Sequence, residues 1–221
     1  MKLIGLTGHA GSGKDYVYGL LDRFYEGAVR VALADEVRIE VACEVLSAIG
    51  ATPRDFPRYL GVWQKPYTEA QRRVLQWWGT EFRRSADPNY WVDLASERIL
   101  EYPDDVLVVV TDVRFANEAE MIHRLGGIVV QVACQDDTRA ERLGGVLPPA
   151  HASENIDFEV DTVIWNETKT VVPLALASYL GMPLSCTKCR TLYRDHSWHD
   201  DGTPNENHGL DLSNPARHVN G

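Results

Sequence analysis

The chain has 221 residues, 44% of them hydrophobic and 24% charged, with a formal net charge of −10 at pH 7. That balance suits one globular domain with an insertion or an appendage, and the negative charge argues against long-range attraction to nucleic acid or to an anionic membrane. No run approaches the roughly 20 apolar residues that span a bilayer. Met1-Lys2 passes at once into a β-like run, so the expectation is a cytosolic chain without a secretory or transit signal. Four cysteines are expected as reduced thiols, with Cys43 and Cys134 read as small buried hydrophobes.

In chain order, the first strand is expected over residues 2–7. It leads directly into Gly8-His9-Ala10-Gly11-Ser12-Gly13-Lys14-Asp15 and then into a helical pattern over 13–25 holding Val17, Leu20, Leu21 and Phe24. Strand, glycine loop and helix in that order is the context of a Walker A phosphate-binding loop. Glycines let successive N–H groups turn toward phosphate oxygens, and the helix adds its positive end. On this reading Gly8, Gly11, Ser12, Gly13, Lys14 and Asp15 bind the cofactor ATP, with Lys14 reaching the β- and γ-phosphates. Asp15 stands where Ser or Thr usually ligates magnesium. A carboxylate serves the same metal directly or through water, since Mg2+ prefers hard oxygen ligands.

Further strands are expected over residues 28–33, 106–111, 128–133 and 162–165. Helical patterns fill 34–49, 68–84, 90–101, 115–125, 138–144 and 168–180. The unbroken apolar run Val106–Val110 suits a central strand covered on both faces. Alternating β and α segments call for an α/β fold, an open parallel sheet with helices on both sides. The stretch 34–101 is too long for one crossover and reads as a helical insert that binds the acceptor.

That insert supplies residue types suited to a phosphorylated, base-bearing acceptor: Arg38, Gln76, Glu81, Arg83, Arg84 and Trp91. Residue types alone leave two readings even. In one these side chains bind substrate. In the other the tryptophans, including Trp77 and Trp78, are core and the arginines solvated. After the third strand, Thr111-Asp112-Val113-Arg114 places Asp112 at a strand's carboxyl end, where ligands of parallel sheets gather. Asp112 could hold magnesium through water and Arg114 could clamp a phosphate, set against a helix cap and a surface ion pair. Arg139 and Arg142, three apart on one helical face, suit a small lid over 134–152, with a solvated pair as the alternative.

Together these pieces resemble the deoxynucleoside monophosphate kinases of tailed phages. The matching residues are the loop ending Gly13-Lys14-Asp15, Leu75-Gln76 through Gly79-Thr80-Glu81 with Arg83 or Arg84, and Asn89-Tyr90-Trp91. Asp112-Val113-Arg114-Phe115 with Asn117-Glu118-Ala119-Glu120 also matches, as do Gly126-Gly127 and His151 with Ser153-Glu154. The resemblance implies a three-layer P-loop NTPase fold with sheet order 2-3-1-4-5 and a kinase domain over residues 1–183. It implies γ-phosphoryl transfer from ATP to a deoxynucleoside monophosphate, with Lys14, Asp112, Arg114, Arg139 and Arg142 in the catalytic roles. For a phage-encoded chain the setting would be the host cytoplasm. A homodimer is left open.

Two alternatives stay beside this one. The chain could be another small-molecule P-loop kinase, resembling dephospho-CoA or phosphomevalonate kinases, or a non-catalytic nucleotide-dependent regulator. Asn166-Glu167-Thr168-Lys169 does not match the Asn-Lys-x-Asp motif of guanine-reading switches. Residues 184–221 read as a loosely structured tail, or as a small metal-binding appendage in which Cys186, Cys189, His196 and His199 hold Zn2+.

Overall fold

The computed structural model describes residues 1–25, 28–64, 67–147, 156–167, 176 and 179–180. The expected tail, its zinc ligands Cys186, Cys189, His196 and His199, the helix over 168–180 but for three residues, and His151, Ser153 and Glu154 lie outside the described residues. Two compact units are present. One joins Met1–Val29 to the chain from Asp105 onward, and the other is Arg30–Asp104.

Five strands form one sheet: β1 (Lys2–Thr7), β2 (Val29–Val31), β3 (Leu107–Val110), β4 (Ile128–Ala133) and β5 (Thr162–Trp165). Their order is β2-β3-β1-β4-β5, the order expected from the resemblance, in an α/β fold. β1 pairs in parallel with both β3 and β4, and β4 pairs in parallel with β5. The run Leu107–Val110 is fully buried along its length, as a two-faced central strand requires.

Alternation along β1 assigns the layers. Ile4 and Leu6 join Leu107, Val109, Val130, Val132 and Ile164 in a core against Val17, Leu20 and Leu21 of α1 (Lys14–Phe24). Gly5 faces the other way. A Cβ there would lie 3.0 Å from both Ile122 of α7 (Ala116–Arg124) and Val113. Helices therefore cover both faces, and each fully buried aliphatic side chain contributes roughly 1.5–3 kcal/mol.

The Arg30–Asp104 unit is helical. It holds α2 (Leu33–Ala48), a 3-10 turn at Pro53–Asp55, α3 (Phe56–Val62), α4 (Glu69–Gln76), a π-helical segment (Trp77–Phe82), α5 (Arg83–Ala86) and α6 (Tyr90–Leu100). Thr68 starts α4 with a capping box. Its hydroxyl accepts from Gln71 N–H, and the Gln71 side chain accepts from Thr68 N–H. The single helix expected over 68–84 is thus three segments, because the π turn widens the coil where Gly79 lies against Val37. Cys43 corrects another expectation. It is exposed, since the buried side of α2 is Leu33, Val37, Val41, Ala42 and Leu46.

Candidate active site

Four loops at the carboxyl ends of β1, β3, β4 and β5 meet in the first unit. The Gly8–Gly13 loop leaves β1 between the loops of its two neighbours, the arrangement that gathers ligands in open parallel sheets. Gly8 adopts φ 142°, and a Cβ there would sit 2.3 Å from the Val132 carbonyl oxygen. Gly13, at φ 97°, begins α1 with a Cβ position 2.1 Å from Asn166 Nδ2. Any other side chain at either place meets both a left-handed backbone and an occupied space. Within the loop, Ser12 N–H donates to the His9 carbonyl at 3.2 Å.

Lys14, the first residue of α1, turns its ammonium back to the carbonyls of Gly8 at 2.5 Å and His9 at 3.1 Å. Ser12 Oγ is buried and has no hydrogen-bond partner among the described residues. An unsatisfied buried hydroxyl costs about 1–3 kcal/mol, so a bound acceptor or donor group at the loop would relieve it. Asp15 is exposed in the first turn of α1.

The loop after β3 is fixed from two sides. Val113 N–H donates to Leu6 O at 3.1 Å, tying it to the end of β1. Glu118, a buried residue in the first turn of α7, accepts from Arg114 N–H at 2.6 Å and from Phe115 N–H at 3.2 Å. Asp112 and Arg114, both half-buried, are thereby held at the same end of the sheet as the Gly8–Gly13 loop. Glu118 belongs to the Asn117-Glu118-Ala119-Glu120 match, and the resemblance implies no role for it. Its buried carboxylate gives it one.

The arginines of α8 (Asp136–Arg142) go to the loop's carbonyls. Arg139 Nε donates to Ala10 O at 3.0 Å and its NH1 pairs with Asp136 at 2.6 Å. Arg142 donates to Gly11 O and Ser12 O, both at 3.3 Å, and to Asn166 O and Glu167 O at 2.7 and 3.2 Å. Asn166 Nδ2 adds a bond to Ser12 O at 2.8 Å. Burial pushes the Cys134 thiol up, with Arg142 pulling against it, so the sulfur beside the loop is held as a neutral thiol. Arg139 and Arg142 have the spacing of lid residues. Here their donors brace the loop.

In the Arg30–Asp104 unit the candidate acceptor residues separate into two groups. Arg38 pairs with Asp35 and donates to Tyr67 Oη at 2.8 Å, while Arg30 reaches the other Asp35 oxygen at 2.9 Å. Arg83 pairs with Glu40, which also accepts from Trp78 Nε1 at 3.1 Å and Tyr90 Oη at 3.0 Å. Burial raises the Tyr90 phenol, and its bond to Glu40 raises it further, so it stays a donor. Gln76 ends α4, Glu81 is exposed in the π turn, and Arg84 donates to Pro88 O at 3.5 Å. Trp91 is a correction. It is 1% exposed and its Nε1 donates to Gly79 O at 2.9 Å, which makes it a core side chain with no face for a base. Trp77 and Phe82 do offer one, stacked at 5.3 Å and 18° and both exposed.

Among the described residues no group of three or more His, Cys, Asp or Glu side chains is placed to hold a metal ion. Nor, among them, is any helix long and apolar enough to cross a membrane.

No family model matches the chain. A relative from Acanthamoeba polyphaga mimivirus, named "Putative deoxynucleotide monophosphate kinase", is 31% identical over 165 residues. The match covers 62% of this chain and 79% of the relative. Among solved structures, the crystal structure of TT1252 from Thermus thermophilus aligns over 81% of this chain and 96% of its own, at 18% identity and a TM-score of 0.44. A likeness that slight bears on neither activity nor substrate.

Proposed function

The chain belongs to the deoxynucleotide monophosphate kinase family, and from that premise we propose that it transfers the γ-phosphoryl group of ATP to a deoxynucleoside monophosphate, giving ADP and the diphosphate. The observation that carries this reading is the loop itself. Gly8 and Gly13 are in conformations that suit glycine, Lys14 lies over the loop, and Ser12 Oγ is buried with no hydrogen-bond partner among the described residues.

Phosphoryl transfer asks the protein mainly for positioning and charge. Lys14 leaves its two carbonyl partners for the β- and γ-phosphates, and Gly11, Ser12 and Gly13 wrap the same groups. Arg114, on a loop fixed by Glu118, offsets charge that spreads over the transferring group. Asp15 and Asp112 are the hard oxygen donors suited to magnesium, which typically takes one or two carboxylates with substrate phosphates and waters. When bound, that ion would supply neutralisation of phosphate charge.

The acceptor is assigned to the Arg30–Asp104 unit. Arg38, Arg83 and Arg84 are the candidates for its phosphate, and Arg38 and Arg83 would exchange their carboxylate partners, Asp35 and Glu40, for it. Gln76 and Glu81 supply hydrogen bonds, and the exposed Trp77–Phe82 stack favours a nucleobase over an aliphatic acceptor. The test is a panel. Protein, ATP and magnesium are incubated with each deoxy- and ribonucleoside monophosphate, and nucleotides are separated by ion exchange. A new diphosphate from at least one deoxynucleotide is expected. ATP binding with no product from any of them overturns the proposal.

A further inference from the structure

We propose that Asn166, outside every nucleotide-binding motif in the chain, is a positioning residue that sets the direction of the phosphate loop's N–H groups. The inference rests on the loop's being the ATP site and adds a residue 154 positions away.

Asn166 follows β5 and is itself anchored. Its N–H donates to Ala133 O at 2.7 Å, its own carbonyl accepts from Arg142 at 2.7 Å, and it is 6% exposed. The side-chain amide faces a carbonyl, Ser12 O, so the group presented there must be the NH2. Arg142 NH1 converges on the same oxygen. A trans peptide is planar, with its N–H opposite its C=O. Fixing Ser12 C=O toward Asn166 therefore aims Gly13 N–H the other way. Arg139 does the same for Gly11 N–H by holding Ala10 C=O.

Gly13 is the N-cap of an 11-residue helix, so its N–H heads the row of donors at that helix end. Gly13 also has no room for a Cβ because Asn166 occupies that space. The loop is thus braced from the carbonyl side before any nucleotide arrives. Preorganised donors avoid the reorganisation that a slack loop would undergo on binding.

Such a residue should act on ATP and spare the acceptor and the chemical step. The experiment is calorimetric titration of Mg·ATP into wild type and Asn166→Ser, which is neutral and too short to reach Ser12 O, with steady-state kinetics alongside. The expected result is a Kd and a KM for ATP raised by about tenfold, with kcat and the acceptor KM within about twofold. Unchanged ATP affinity in a folded variant overturns the proposal, as does a fall in kcat with ATP affinity intact. If circular dichroism shows Asn166→Ser unfolded, Asn166→Ala, which likewise removes the donor without adding charge, is read the same way. Wild-type protein that binds ATP and phosphorylates nothing defeats the acceptor assignment, and calorimetry still decides on Asn166. Wild-type protein that binds no ATP overturns both.

Discussion

Arg83 and Glu40 form the hub of the helical unit, with the guanidinium carbon 5.1 Å from the ring centres of both Phe82 and Tyr90 and 5.7 Å from that of Trp78. The ring faces attract the cation, and Glu40 neutralises it. Removing the carboxylate leaves a partly buried charge without its partner. Glu40→Ala should destabilise the protein by about 2–4 kcal/mol, toward the low end because Arg83 is still 31% exposed. Urea unfolding checks this. A midpoint unchanged from wild type contradicts the hub.

Trp91 should matter for stability and little for substrate. Trp91→Phe keeps most of the apolar volume but loses the buried indole N–H bond to Gly79 O, at a cost of about 0.5–1.5 kcal/mol. A lowered Tm with the acceptor KM unchanged is expected. A raised acceptor KM at wild-type Tm would return Trp91 to the binding surface.

Glu118 predicts a paired loss. Its carboxylate accepts from the N–H groups of Arg114 and Phe115 while fully buried. Glu118→Ala should lower Tm and also reduce turnover, because the loop carrying Arg114 loses its fixed shape. Arg114→Ala should reduce turnover by about 10²-fold or more and leave Tm near wild type, if Arg114 meets the transferring group. Near-full activity in Arg114→Ala would dismiss that role.

The acid limb of stability should involve Asp161. Burial pushes its carboxyl up, but bonds from Val129 N–H at 2.6 Å and from His123 at 2.8 Å outweigh that and hold it below the ordinary value. A carboxyl lowered in the folded state contributes stability that is present above the unfolded value of about 4 and is lost as pH falls through the folded value. Asp161→Asn should therefore flatten the decline in Tm below about pH 4. With the side chain 42% exposed, the effect should stay under about 1 kcal/mol. An identical acid decline in both proteins contradicts the linkage.

What the sequence made legible was local. The apolar run Val106–Val110 announced its central strand, and the Gly8–Asp15 loop stood between a strand and a helix, as its spacing requires. The features that escaped depend on long-range approach. Glu40 meets Trp78, Arg83 and Tyr90 across 38 to 50 positions, and no periodicity marks a glutamate for that. Trp91 looked equally fit for a base or a core, because only its neighbours decide. The π turn leaves no signal in the sequence beyond Gly79, and Asn166 lies in a segment whose only motif-like feature is a switch motif that it does not match.

On the proposed function, the loop at Gly8–Asp15 supports phosphoryl transfer and does more than bind a nucleotide. The most direct measurement follows label from γ-labelled ATP into deoxynucleoside diphosphate, comparing wild type with Lys14→Ala. Label should appear in a diphosphate with wild type, and the rate should fall by about 10³-fold in a folded Lys14→Ala protein. Label that reaches only inorganic phosphate, or equal transfer by both proteins, would contradict the account.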